Sequence, residues 1–280
     1  MLFKSLAVTA VLASSASAHL SARNVTRSCG TPHPTEAQIR ASQQMLQQER
    51  ARVASGELRS FATITVDTYF HVIAGSESED DGYATEQQLD DQLDVLNAAY
   101  APHGISFNLL GRDWTINADW ADDSDELAYK QELRQGDYST LNVYFLRQPN
   151  FQALGYCYFP DNFEEGSDDF YLDGCVIDAA SVPGGSAAPY NLGGTVPHEV
   201  GHWMNLYHTF QDGCTGGDLV DDTPAQASAS SGCPVGRDSC PAEGVDPIHN
   251  FMDYSEDSCY EEFTAGQEER MYSAWESYRG

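Results

Sequence analysis

Residues 198–202 read His-Glu-Val-Gly-His, and no other stretch restricts the chemistry of the chain as tightly. A spacing of four puts two imidazoles on one face of a helix, a turn apart and aimed at one point. Neutral imidazole is a good zinc ligand, and taking two from one helix lowers the ordering cost of a site. Glu199 is tethered too closely to the first ligand to share the metal, and is placed to accept a proton from a zinc-activated water. Thr195 is expected to cap this helix, with Pro197 tolerated in the first turn and an end near Asn205 or Leu206. His208 offers a third ligand, but a continuous helix would carry it away from the 198/202 face. A sharp turn near Asn205 brings it back, since Asn follows Gly in tolerance of positive φ.

Export is the expected context. Lys4, the apolar run Leu6–Leu12 and Ala16-Ser17-Ala18 read as a signal peptide over residues 1–18. Later stretches fall short of the ~20 apolar residues that span a bilayer. Seven cysteines suit an oxidising destination, where six can pair and one is left over. Asn24-Val25-Thr26 is a sequon, used or unused, that makes a glycoprotein possible.

Charge is unevenly spread. Residues 19–59 hold six Arg and three Glu, whereas from Ser60 onward 40 acidic side chains face 7 basic ones. Such a surface repels nucleic acid and acidic membranes and favours cationic partners. The first of these is the chain's own N-terminal segment.

Periodicity orders the rest. Thr35-x-x-Gln38 opens a helix that ends near Gly56, and residues 61–73 read as a strand. Thr85-x-x-Gln88 opens a second helix, stopped by Pro102 and Gly104, and Ile105–Leu110 is a short strand. Residues 124–135 read as a helix; Leu141–Leu146 and Val176–Ala180 read as strands, and Pro183–Gly194 as a loop. Residues 211–250 are dense in Gly, Pro, Asp, Ser and Cys without periodicity, and so need an external constraint such as disulfides or a metal ion. Thr264-x-x-Gln267 opens the last helix.

The run His198–Phe210, HEVGHWMNLYHTF, together with Asn250–Tyr254, NFMDY, resembles the metzincin metallopeptidases, specifically the pappalysin (cytophagalysin) family with its secreted fungal members. The resemblance covers roughly Phe61 to Gly280 and extends weakly toward the N-terminus. It implies an α/β (α+β) fold in which an upper subdomain (60–208) with a twisted mixed sheet and active-site helix faces an irregular, disulfide-braced lower subdomain (209–280). It makes His198, His202 and His208 the ligands of one catalytic Zn2+ and Glu199 the general base. Met252 falls in the Met-turn beneath the metal and Tyr254 steadies the tetrahedral intermediate, although ordinary core roles stay open for both. Asn205 stands where the family usually has Gly, at a cost of about 1 kcal/mol.

The resemblance further pairs Cys214 with Cys240 and Cys233 with Cys259, which leaves Cys157 and Cys175 as a third pair. Asp218 and Thr223 look like calcium-binding positions, with a solvated acidic turn as the plain alternative. The residue before Cys259 shapes the pocket for the side chain just after the cut. Relatives that prefer basic residues carry Asp there, and this chain has Ser258. Cys29 resembles a latch that takes the fourth zinc position and keeps a zymogen inactive; an exposed or dimer-forming thiol is the alternative. Residues 19–59 then form an inhibitory prosegment removed near Arg59-Ser60. The expected activity is a secreted zinc endopeptidase acting on proteins or peptides, broad or narrow in specificity. A non-catalytic zinc- or carbohydrate-binding protein is the competing class.

Overall fold

A computed structural model describes residues 27–56, 61–147, 149 and 153–280. The signal sequence, the sequon at Asn24 and the Arg59-Ser60 bond lie outside these residues. The elements in chain order are α1 (Glu36–Ser55), β1 (Ile64–Ala74), α2 (Glu86–Tyr100), β2 (Ile105–Ile116), α3 (Ala118–Ala121), α4 (Glu126–Leu133), β3 (Leu141–Leu146), β4 (Gly155–Cys157), α5 (Asp168–Leu172), β5 (Cys175–Asp178), α6 (Thr195–Trp203), α7 (Gly213–Gly216) and α8 (Ala265–Tyr278). Thr35, Thr85 and Thr264 each close a reciprocal capping box with the Gln three residues on, so the three boxes read from sequence start α1, α2 and α8.

One five-stranded sheet, ordered β2-β1-β3-β5-β4, is parallel except for β4, which runs antiparallel to β5 at the edge. Parallel strands need both faces covered. One face packs Val66, Phe70, Val143, Phe145 and Ile177 against residues of α2, α6 and α8, among them Leu89, Leu96, Val196, Val200, Trp203 and Met271. The other face packs Ile73, Tyr144, Leu146 and Val176 with Tyr129 of α4. Strand β2 is twice as long as its alternation suggests. Its register against β1 slips between Thr68 and Tyr69, leaving Leu110 as an extra residue. That bulge inverts the in/out pattern beyond it and conceals the second half of the strand from a period-two reading.

Helix α6 differs from expectation at both ends. Thr195 is its first residue, not its cap; Gly194 precedes it and makes no side-chain cap bond. The start is set by tertiary contact instead: Gly194 N–H donates to Asp257 Oδ2 at 3.2 Å, and a Cβ on Gly194 would come within 2.7 Å of Asp257 Oδ1. The helix ends at Trp203, short of Asn205. Residues 211–250 are irregular apart from α7, and three disulfides are present, Cys157–Cys175, Cys214–Cys240 and Cys233–Cys259, leaving Cys29 free.

A buried ionic cluster ties the C-terminus to α6. Asp173 accepts from Arg279 Nη2 at 2.8 Å, from Arg134 Nη2 at 3.4 Å and from the Trp203 indole at 3.2 Å, while the Arg279 guanidinium lies 3.6 Å from the Trp203 ring centroid. Burial pushes the Asp173 carboxyl up, yet Arg279 and Arg134 outweigh it and hold the group below its ordinary range. Removing one member strands a buried charge. We therefore expect Arg279→Ala to lower the unfolding free energy by about 3–5 kcal/mol. Urea denaturation of the two full chains measures it.

Candidate metal centre

Helix α6 is buried along its whole length, so what its side chains reach is set by packing. His198 Nδ1 lies 2.6 Å from the Phe251 carbonyl oxygen and His202 Nδ1 lies 2.8 Å from that of Leu206. A carbonyl only accepts, so each ring carries its proton on Nδ1 and turns the Nε2 lone pair inward. His198 Nε2 is buried without a hydrogen-bond partner. His202 Nε2 and His208 Nε2 approach to 3.1 Å. Burial lowers the pKa of all three rings, that of His202 to about 4, so they are neutral near pH 7.

The return of His208 depends on the end of α6. Asn205 has φ 69°, Leu206 N–H donates to Gly201 O at 2.8 Å and Asn205 N–H donates to His202 O at 2.9 Å. These paired bonds form a Schellman motif, with Asn205 in the left-handed position usually held by Gly. Its side chain is not idle: Asn205 Nδ2 donates to Ser42 Oγ at 3.3 Å and to Met45 Sδ at 3.5 Å.

Met252 is fully buried against α6, where a Cβ on Gly201 would come within 2.3 Å of its sulfur. The Met252 turn is held by its own N–H donating to Asn250 Oδ1 at 2.9 Å and by Thr209 N–H donating to Met252 O at 3.2 Å. Asn250 is locked in turn to Gln267 of α8 through a pair of amide hydrogen bonds at 2.7 and 3.0 Å.

Cys29 completes a quartet. One donor atom from each of Cys29, His198, His202 and His208 lies within 4.8 Å of the other three. A tetrahedral ion with bonds of ~2.0 to ~2.3 Å fits among donors of this kind. The Cys29 thiol donates to Glu199 Oε2 at 3.2 Å, Thr31 Oγ1 donates to the same oxygen at 3.2 Å, and Cys29 N–H donates to the Tyr254 hydroxyl at 3.0 Å. Burial pushes the Glu199 carboxyl up to about 7, and burial together with Glu199 pushes the thiol up. The segment reaches this position by adding to the edge strand: Gly30 N–H donates to Gly155 O at 2.8 Å and Leu154 N–H to Ser28 O at 2.9 Å. The same Gly155 lets α6 lie close to this strand, since a Cβ there would stand 2.9 Å from Glu199 Cγ.

Sequence reasoning missed Arg27. Its buried guanidinium donates to Asp257 Oδ1 at 3.0 Å and stacks 4.7 Å from the Tyr260 ring centroid, with Tyr190 at 5.7 Å. Ser258 is exposed, and the carboxylate that meets Arg27 is that of Asp257, one residue earlier. The available signal was an Arg two residues before the odd cysteine in a basic segment.

Asp218 and Thr223 form no part of the histidine cluster. Asp218 Oδ1 accepts from Val220 N–H at 3.1 Å. Thr223 lies close enough to ease the ionisation of Asp218, but Asp218 Oδ2 and Thr223 Oγ1 are both buried and neither has a hydrogen bond of good geometry. Burial pushes the Asp218 carboxyl up to about 7. No helix among the described residues is long and apolar enough to cross a membrane.

The family model for peptidase M43, described as Pregnancy-associated plasma protein-A, matches residues 136–276. An extracellular metalloprotease of Colletotrichum graminicola is 56% identical over 272 residues, covering 96% of this chain and 97% of that protein. Extracellular metalloprotease 1 of Coccidioides posadasii is 56% identical over 254 residues, 90% of each chain. Among solved structures, mature mirolysin of Tannerella forsythia in complex with a cleaved peptide aligns with a TM-score of 0.63 at 28% identity, covering 77% of this chain and 93% of that one. Such identity over nearly the full length, together with the metal-ready histidine cluster, shows that the chain belongs to the peptidase M43 family of metallopeptidases.

Proposed function

We propose that this metallopeptidase is a secreted zinc endopeptidase, made as a zymogen in which residues 19–59 are an inhibitory prosegment and 60–280 the catalytic domain. The observation that carries the reading is the convergence of His198, His202, His208 and Cys29, with the two helical imidazoles oriented by backbone carbonyls. Three imidazoles and a thiolate are a donor set for zinc. Bound zinc supplies the Lewis acidity that activates a water near neutral pH and polarises a peptide carbonyl. Glu199, buried beside the first of these imidazoles, suits both halves of a proton relay: it takes a proton from the attacking water and delivers it to the leaving amine. The Tyr254 hydroxyl is the donor for the developing oxyanion. Cys29 is the latch, engaging His202, Glu199 and Tyr254 together. Export agrees with the extracellular relatives. The intact Glu199 and three imidazoles argue against a non-catalytic binding protein.

Arg27 supports a preference. Its pocket of Asp257, Tyr190 and Tyr260 suits a guanidinium just beyond the scissile bond, so the acidic determinant is Asp257 in place of the expected residue at 258. Asp218 Oδ2 and Thr223 Oγ1, buried close together without a hydrogen bond of good geometry, support a structural calcium ion, an oxygen-seeking cation, in the 218–223 loop.

Three measurements test this reading. Protein freed of its N-terminal segment should contain one zinc per chain, lose cleavage of an unfolded protein on chelation, and lose at least about 1,000-fold in kcat with Glu199→Ala. Cleavage that persists in the variant or in metal-free protein would sink the mechanism. Asp257→Asn should lower kcat/KM for peptides with arginine after the cut by about 10- to 100-fold, and that for leucine peptides much less. An equal fall for both would remove the pocket assignment.

The calcium reading has a defined pH sign. The folded pKa of Asp218 lies above its unfolded value, so the calcium-free protein gains stability from this group in acid and loses it as pH rises through about 7. Calcium at 100 times its Kd should add about 2.7 kcal/mol at pH 8. The gain should shrink toward pH 5, and thermal melts with and without calcium measure it.

A further inference from the structure

The N-terminal segment touches the body of the protein in a second place, remote from the histidines. Helix α1 buries Ser42, Met45 and Glu49, one helical face spaced by three and four. Ser42 Oγ lies 3.0 Å from the Tyr207 hydroxyl and accepts from Asn205. Both carboxylate oxygens of Glu49 accept from Arg270 of α8 at 3.0 Å. Arg50 and Asp221 form a two-bonded pair, with Nε to Oδ2 at 2.7 Å, and Arg52 meets Glu269 at 2.7 Å and Ser273 Oγ at 3.2 Å. The signs are complementary, minus, plus, plus along the helix against plus, minus, minus. Arg270 is 1% exposed and also donates to Leu219 O at 2.6 Å.

From this pattern we infer that the surface formed by Asn205, Tyr207, Asp221, Glu269 and Arg270 is a second recognition site for α1, which holds the N-terminal segment without any help from the metal. This deepens the zymogen reading above and rests on it. The site is polar and selective, because each of the three buried α1 residues is hydrogen-bonded to a named partner. It also reaches the turn that returns His208: the non-Gly residue in the left-handed position is the one that reads Ser42. Cutting the chain between Gly56 and Phe61 therefore leaves the fragment seated, and activation requires its dissociation or destruction as a further step.

The experiment uses the full chain with a site-specific protease recognition sequence inserted between Leu58 and Arg59. After cutting, two quantities are followed: co-elution of the N-terminal fragment with the body on size exclusion, and cleavage of an unfolded protein. The chains compared are wild type, Cys29→Ser, Glu49→Gln with Arg50→Gln, and a version with reversed exposed charge, Arg50→Glu with Arg52→Glu. The fragment should stay bound in cut wild type and cut Cys29→Ser. It should leave at least about 100-fold faster when the buried Glu49 pair is broken, and about tenfold faster in the charge reversal, which leaves the buried pair intact and so guards against a folding defect. Release from cut Cys29→Ser as fast as from the Glu49 variant, or retention unaffected by both α1 variants, overturns the second site. Full proteolysis by the uncut wild-type chain overturns the zymogen reading instead, and leaves retention of the fragment as a separate result.

Discussion

The geometry of the centre depends on one left-handed residue. On a continuous helix a spacing of six would leave His208 turned about 120° away from His202, so the helix has to stop and reverse between them. The Schellman bonds from Leu206 to Gly201 and from Asn205 to His202 do this within a single turn. The same reversal delivers the Leu206 carbonyl to His202 Nδ1, so the device that returns the third imidazole also orients the second. Asn in this position costs free energy relative to Gly, and its amide offsets part of that cost with hydrogen bonds to Ser42 and Met45.

A second constraint comes from below. Gly201 faces the Met252 sulfur with no room for a methyl group, which lets the irregular half of the protein press against α6. That half has little regular backbone pairing. Its shape is carried by two disulfides within residues 214–259 and by buried side-chain bonds such as those from Gln226 Nε2 and Ser230 N–H to Asp253 Oδ1, each at 3.0 Å. Phe251, whose carbonyl fixes the tautomer of His198, belongs to this turn. Orientation of both helical imidazoles thus comes from backbone outside α6, one carbonyl from each side of the centre.

Charge binds the N-terminal segment across the molecule. Arg27 enters a pocket walled by Asp257, Cys29 reaches the histidines along the edge strand, and α1 meets Arg270, Asp221 and Glu269. Asp257 also accepts from Leu192 and Gly194, so the carboxylate that receives Arg27 is the one that sets the start of α6. The pocket and the metal-bearing helix are therefore parts of one hydrogen-bonded unit.

Local rules were sufficient for much of this. Capping boxes at Thr35, Thr85 and Thr264, the apolar run of β3, and the four-residue spacing of His198 and His202 are short-range patterns whose physics acts over one or two turns. They specified where three helices begin, where a central strand lies and which imidazoles converge. Elsewhere local pattern failed: the bulge at Leu110 inverted the alternation of β2, the three-residue strand β4 was too short to have a period, and a contact from Asp257 replaced the cap expected of Thr195. The partnerships of Arg27 with Asp257, Glu49 with Arg270 and Gly201 with Met252 span 230, 221 and 51 positions in the chain. No local signal encodes them, because an acidic residue among forty looks like any other until folding removes water from one and leaves it with a single cation to face.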